Sequence, residues 1–251
     1  MLAAGLSLYL FSAALPLYLY RYLGYSLESV GVLVGLASVV QVVATLAVGP
    51  LVDRRGARLA MRLGAGSYVL AAALFLVSAW LPAIALARVL QGIGIALVLP
   101  AVFSVVPVLV SKGFQGAALG AIGAFNNVSL AVGPPLGLWL LGLSPTILFL
   151  TALVAAGLAI AVSLLLNVGL AATAPGRLLK YRASWTPLYA ITFLCVVYWG
   201  VVTAFLPIEV PHNQIPSVGW FFVADAIAIM AARIPAGFLA DRFGSRWLLV
   251  A

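Results

Sequence analysis

Long apolar segments, each of about 20 residues or more, recur along this chain and limit what it can fold into. We delimit eight of them, and a ninth begins near Trp247; the eight cover residues 2–23, 30–52, 58–80, 82–110, 115–142, 145–168, 186–209 and 217–240. A helix of about 20 residues matches the roughly 30 Å hydrocarbon core of a bilayer. Lipid offers no partners to backbone N–H and C=O groups, and the segments lack the short alternation of barrel strands. The sequence therefore predicts an all-α membrane protein.

The scarcity of charged side chains excludes a soluble globular domain. Hydrophobic residues make up 65% of the 251 and charged residues 7%, whereas a soluble domain carries about 25% charged residues. The net charge of +8 does not indicate a nucleic-acid-binding protein, because the basic residues form short clusters between apolar segments and not one patch. We therefore expect the lipid bilayer, and no nucleic acid, as a partner.

The sequence also lacks the groupings that enzymes and metalloproteins need. Its one cysteine, Cys195, lies inside an apolar segment, so no disulfide or cysteine metal site is expected. There is no phosphate-binding loop, no metal-ligand cluster and no nucleophile with a nearby base. We expect neither enzymatic activity nor a cofactor.

Basic residues fall in alternate connections between the segments. One set of connections carries Arg54, Arg55, Arg58, Arg62, Lys112, Arg177, Lys180, Arg182, Arg242 and Arg246. The other set carries Arg21. Because short cytoplasmic loops are enriched in Lys and Arg, we predict a multi-pass protein of the cell (cytoplasmic) membrane with a cytoplasmic N-terminus.

An internal repeat divides the chain. The stretches 49–58 and 237–246 share the pattern Gly-x-x-x-Asp-Arg-x-Gly-x-Arg, begin 188 positions apart, and close the second and eighth segments. We predict a six-helix bundle at 1–168, a cytoplasmic linker at 169–185, and the start of a second bundle at 186–251. Two halves of this length need about 375 residues, so we expect an incomplete molecule that lacks roughly four segments.

Three elements carry a resemblance to a known family. The repeated loop element resembles the loop motif of the major facilitator superfamily, and Arg88-Val-Leu-Gln91-Gly92-Ile-Gly94 resembles that family's Arg-x-x-Gln-Gly element. Gly133-Pro134-Pro135-Leu136-Gly137 resembles its Gly-Pro-x-x-Gly antiporter element, although Leu138 replaces a glycine usual there. In the loops, Ala57 and Ser245 replace a frequent basic residue. The resemblance implies a twelve-helix bundle of which this chain holds eight helices and the start of a ninth.

In the resembled family, loops of this type gate alternating access to a central site. The residues concerned are Gly49, Asp53, Arg54, Gly56, Arg58, Gly237, Asp241, Arg242, Gly244 and Arg246. A carboxylate at a helix end can cap the positive N-terminus of a neighbouring helix and hold nearby arginines. We expect a charge latch that forms when the inner face closes, with glycines that permit tight turns. An ordinary cytoplasmic turn would explain the arginines but not the paired aspartates and glycines.

Polar residues inside the segments are candidates for a substrate and coupling cavity. These are Arg88, Gln91, Asn126, Asn127, Tyr198, Trp199 and Asp225. A guanidinium in the membrane costs about 2.5–3.5 kcal/mol, so Arg88 should face a cavity or a partner; the alternative is that it extends to the outer headgroups. Asp225 is a hypothetical protonation site that approaches Arg88 across the two halves, or else a water-exposed residue. Helix packing is the alternative role for the asparagines and Trp199.

The fifth segment carries a candidate kink between the halves. Pro134 and Pro135 remove backbone hydrogen bonds and should bend the helix. Gly133 and Gly137 form a small-xxx-small face. A bent, closely packed helix would suit an interface on which two halves rock.

These observations predict secondary transport of a small solute by alternating access. The antiporter element favours proton-coupled efflux. Proton-coupled uptake of a sugar or metabolite remains an alternative, as does a non-transporting membrane receptor or assembly protein on the same scaffold.

Overall fold

The computed structural model describes residues 1–111, 114–165, 186–210, 218–225, 227–229 and 231, without the side chains at 49, 50, 53, 54, 107, 116, 117, 188 and 189. Over these residues the regular structure is helical. The helices are α1 (Leu2–Leu17, continued by a π-helical turn at Tyr18–Tyr22), α2 (Leu27–Arg55), α3 (Ala57–Val77), α4 (Leu81–Leu109), α5 (Gln115–Leu143), α6 (Pro145–Leu165), α7 (Thr186–Glu209) and α8 (Val218–Ile229).

The prediction of an all-α membrane fold is confirmed. Among the described residues, six helices are both long and apolar enough to cross a membrane: α1 with its π turn, α2, α3, α4, α6 and α7. Helix α5 has 29 residues, about 43 Å at 1.5 Å per residue, but it contains a polar stretch that includes Asn126 and Asn127. The linker at 169–185, the end of the eighth segment and the ninth segment lie outside the described residues, so the domain division stays a prediction.

Local chemistry sets several helix boundaries. The Ser26 hydroxyl caps α2 by accepting a hydrogen bond from the Ser29 N–H, 3.3 Å from N to O. Helix α2 ends at Gly56, whose φ of 84° is a left-handed conformation that favours glycine, and α3 begins at the next residue. Pro145 opens α6, where a missing N–H costs nothing.

The first six helices pack into one bundle. Helix α1 packs against α5 and α6, α4 packs against α2 and α3, and α3 packs against α6. Three rings from α1, α3 and α6 meet at its centre, with centroids 4.8 Å apart for Phe11 and Phe75 and 5.9 Å apart for Phe75 and Phe149. This aromatic contact fixes α1 between its neighbours and thereby sets which face of α1 is left for α7.

Helix α7 contacts the first bundle near its own C-terminal end. Thr203, Ala204, Pro207 and Ile208 are buried, and α7 packs on α1. Toward the N-terminal end, every residue from 190 to 198 is exposed. Within the described part of the chain, α7 is thus held at one end and uncovered at the other.

Candidate functional site

Arg88 of α4 is the centre of the first polar cluster. Its Nε donates to the Leu33 carbonyl oxygen at 3.0 Å, and its Nη2 donates to the Val34 carbonyl oxygen at 2.6 Å. Its Nη1 donates to Oε1 of Gln91, one turn along α4, at 2.5 Å. Arg88 is half-buried and Gln91 is 2% exposed. The arginine therefore joins α4 to the backbone of α2 inside the first bundle and does not extend to the headgroups.

This cluster retains capacity for a ligand. A guanidinium has five N–H groups, and the three bonds to described residues use three of them. Close packing around Gly92 holds α4 in place, because a Cβ there would lie 2.4 Å from the Ala37 carbonyl oxygen of α2. Arg88 is thus a fixed cation, and two of its N–H groups have no bond to a described residue.

Asp225 of α8 is the centre of a second polar cluster. Its Oδ2 is buried without a hydrogen-bond partner among the described residues. It borders a cavity of ≈ 20 Å³ whose other walls are Asn127, Leu130 and Ala131 of α5, Trp199 of α7, and Phe222 and Ile229 of α8. The Trp199 ring meets the Phe222 ring edge-on at 6.2 Å. Three helices therefore converge on one carboxylate.

The structure does not bring all the predicted cavity residues together. Asp225 lies beside Asn127 and Trp199, and among the described residues no ion pair joins it to Arg88, whose bonds stay within the first bundle. Asn126 donates to the Tyr9 hydroxyl of α1 at 3.4 Å. Tyr198 is 68% exposed and borders neither cluster.

Of the predicted kink residues, the two glycines face α1 and Pro135 faces α8. A Cβ on Gly133 would lie 2.4 Å from Cβ of Tyr9, and a Cβ on Gly137 would lie 2.1 Å from the Leu10 carbonyl oxygen, so both glycines contact α1. Among the described residues, the small-residue face thus packs inside the first bundle, and a role in the contact between halves stays a prediction. Pro135 points the other way, 3.6 Å from a Cβ built on Gly219 of α8.

The close contact between α1 and α5 extends further than the sequence analysis recognised. A Cβ on Gly5 would lie 2.8 Å from Cβ of Ser129, and the Ser129 hydroxyl donates to the Leu2 carbonyl oxygen at 3.0 Å. Ser129 precedes Gly133 by one helical turn, as Gly133 precedes Gly137. The same four-residue spacing of small side chains was the signal for it.

Part of the first loop element is described. Gly56 makes the turn between α2 and α3, as the pattern predicts, and Arg58 is half-buried in the first turn of α3. Gly49, Asp53 and Arg54 are in α2, but the side chains of Asp53 and Arg54 lie outside the described part. The second copy, with Gly237, Asp241, Arg242, Gly244 and Arg246, lies outside the described residues altogether. The charge latch remains a prediction.

Arg21 is a further functional candidate, which was not among the cavity residues predicted from the sequence. It lies in the π-helical turn that ends α1, and its Nη2 donates to the carbonyl oxygens of Ile208, at 3.0 Å, and of Val210. The last carbonyls of a helix lack intrahelical partners and carry partial negative charge, which a cation stabilises. The sequence signal was that Arg21 is the one basic residue in the connections of its side.

Comparison with solved structures gives matches in transporter folds. A D-xylose–proton symporter matches with a TM-score of 0.63 and 14% identity, over 96% of this chain and 68% of that one. A POT family transporter in complex with a thioalcohol-conjugated peptide matches with a TM-score of 0.59 and 16% identity, over 85% of this chain and 47% of that one. The peptide transporter POT matches with a TM-score of 0.54 and 19% identity. These likenesses concern the fold.

The chain spans about half the length of the POT structures that it matches, 47% and 50%. No curated protein sequence matches it. The family model described as the Major Facilitator Superfamily matches residues 1–251, which is the whole chain. With the membrane-spanning helices and the shared fold, this match shows that the chain is a multi-pass membrane protein that belongs to the major facilitator superfamily.

Proposed function

We propose that this chain is part of a secondary transporter of the cytoplasmic membrane that exports a small solute by alternating access in exchange for protons. The observation that carries the proposal is the contact between the first bundle and α7 through Arg21, whose Nη2 donates to the carbonyl oxygens of Ile208 and Val210. The buried residues of α7 lie near this contact. A breakable contact between the halves at one end is what one state of an alternating-access cycle requires.

In this proposal the two polar clusters have different roles, one in solute binding and one in proton exchange. Arg88, fixed by α2 and Gln91, offers N–H groups to an anionic part of the solute or organises proton transfer. Asp225 lies where α5, α7 and α8 meet and is the group that exchanges protons. A cytoplasmic N-terminus would put the Arg21 contact at the outer end of α7, and a solute destined for export would then enter from the opposite, inner end.

Loss of Arg21 is expected to open the closed end. In Arg21→Gln, the two carbonyl oxygens at the end of α7 lose a cation that bonds both, a loss of about 1–2 kcal/mol, or roughly 5- to 30-fold in the open-to-closed ratio. Spin labels on Tyr22 and Glu209, in a Cys195→Ser background, should report a longer average distance by double electron–electron resonance. Arg55→Gln is the matched control, because Arg55 is exposed at the far end of α2. An unchanged distance in Arg21→Gln would show that the contact does not hold this end closed.

Solute flux in reconstituted vesicles tests the function itself. With an acidic exterior, a proton antiporter expels solute from right-side-out vesicles, whereas a symporter accumulates it. We expect Asp225→Asn to remove the effect of the proton gradient while solute exchange without a gradient continues. Proton-driven flux unaltered by this substitution would exclude Asp225 from coupling. No flux of any solute by the folded full-length protein would favour a receptor or assembly function.

A further inference from the structure

The buried oxygen of Asp225 lies against an unusual stretch of helix α5. Proline has no N–H, so Pro134 and Pro135 cannot donate to the carbonyls four residues earlier. Those carbonyls belong to Leu130 and Ala131. Although α5 continues through both prolines, its ladder of hydrogen bonds lacks two donors at this level. Two backbone acceptors are thereby released on one helical turn.

The same two residues border the Asp225 cavity. Leu130 and Ala131 line it together with Asn127, and Asp225 Oδ2 is buried there without a partner among the residues that the structure describes. A buried acceptor without a donor is unfavourable by about 1–3 kcal/mol. An ionised Asp225 would add an acceptor beside two residues whose carbonyls lack their helix donors. A neutral carboxyl group instead supplies one O–H donor.

The other groups around Asp225 do not offer a competing charge. Among the described residues, the cavity is bordered from α5 by the neutral Asn127, from α7 by Trp199, and from α8 by Phe222 and Ile229. Arg88 is engaged with α2 and Gln91. The cavity volume of ≈ 20 Å³ is enough for about one water molecule.

We propose that Asp225 and the carbonyls of Leu130 and Ala131 form a proton-binding site in which the protonated carboxyl group donates to α5, directly or through one water, and holds α8 against it. The proton adds to Oδ2 from water and leaves to water, and no other covalent bond changes. Loss of the proton leaves three acceptors facing one another and releases α8 from α5. The site rests on the proposed function, since it assigns atoms to the exchanged proton, and it makes the paired prolines part of proton binding and not only of helix bending.

Infrared difference spectroscopy of the purified protein tests the site without transport. In the difference spectrum between acidic and alkaline buffer, the acidic sample should show the C=O stretching band of a protonated carboxyl group. The frequency of this band should shift when H₂O is replaced by D₂O. Asp225→Asn should abolish it, and its amide retains a donor toward α5, so the fold should persist. The double variant Pro134→Ala/Pro135→Ala restores both helix N–H groups and should move the band to higher frequency, because the O–H loses its free acceptors. Pro16→Ala, at a proline inside α1 that does not border the cavity, is the matched control and should leave the band unchanged.

The possible outcomes separate the site from the function. A band that Asp225→Asn does not remove, or that the double proline variant does not move, overturns the proposal. A carboxylate that stays ionised at acidic pH and binds sodium, with ²²Na⁺ binding lost in Asp225→Asn, overturns it as well and identifies a sodium site. If the band behaves as expected but no solute moves in vesicles, the proton site stands and the proposed export function fails.

Discussion

Gly137→Ala is expected to destabilise the protein by about 3 kcal/mol or more, because the new Cβ would lie 2.1 Å from the Leu10 carbonyl oxygen and 3.0 Å from its carbonyl carbon. Both atoms belong to the backbone of α1, so no side-chain rotation relieves the overlap. Helices α1 and α5 must move apart by more than an ångström. Since α1 also packs on α6 and α7, the loss should extend beyond the one contact.

A glycine elsewhere on the same helix provides the control. Gly123 has no atom within 4 Å of a Cβ built on it, so Gly123→Ala should be neutral or stabilise by about 0.5–1 kcal/mol through helix propensity. The free energy of unfolding in detergent, measured by denaturant titration, compares the two. Equal stability of both variants would show that α1 and α5 do not approach as closely as described.

Replacement of Arg88 is expected to have two separable effects. In Arg88→Leu, α4 loses its bonds to the backbone of α2, and Oε1 of the buried Gln91 loses its charged donor. Bonds to charged groups contribute about 1.5–3 kcal/mol each, partly offset by the lower cost of placing leucine in the membrane. We expect a net loss of about 2–3 kcal/mol in the free energy of unfolding. Transport should fall by about 10- to 100-fold, because the anchored cation is gone.

A double variant distinguishes structural loss from functional loss. Arg88→Leu/Gln91→Leu removes the unpaired buried amide and should recover most of the stability, while transport stays low. Arg62→Leu is the matched single substitution, since Arg62 makes one long hydrogen bond, 3.4 Å from Nη2 to the Leu164 carbonyl oxygen, and should cost less than about 1 kcal/mol. Recovery of transport together with stability in the double variant would reduce Arg88 to a packing role.

The described helices differ from the predicted segments by a few residues at their ends. The predicted segment 30–52 corresponds to helix Leu27–Arg55. The helix begins three residues before the segment because Ser26 caps it, and it ends at Gly56. Such ends depend on local groups that the sequence displays, which is why Gly56 was assigned correctly to a turn. The second copy of the loop element, including Asp241, stays a prediction from the repeat.

Unlike the helix ends, the contacts of the polar residues and of the glycines could not be predicted from the local sequence. Arg88 was expected to face a cavity or a partner, with no partner named from its own bundle, and it bonds the backbone carbonyls of Leu33 and Val34 there. No residue type marks a carbonyl as an acceptor for a distant arginine. Gly133 and Gly137 were recognised as a contact face, and the helix that they contact among the described residues is α1.

The sequence by itself determined the membrane class, the number and approximate limits of the helices in the first bundle, and the family, because hydrophobic length and local motifs are written along the chain. Only the tertiary structure decided that Asp225 shares a cavity with Leu130 and Ala131, four residues before Pro134 and Pro135, and that Arg21 bonds the end of α7. Helical periodicity shows which residues share a face. The rotation and crossing of each helix, which fix what that face meets, follow from the packing of all the helices together.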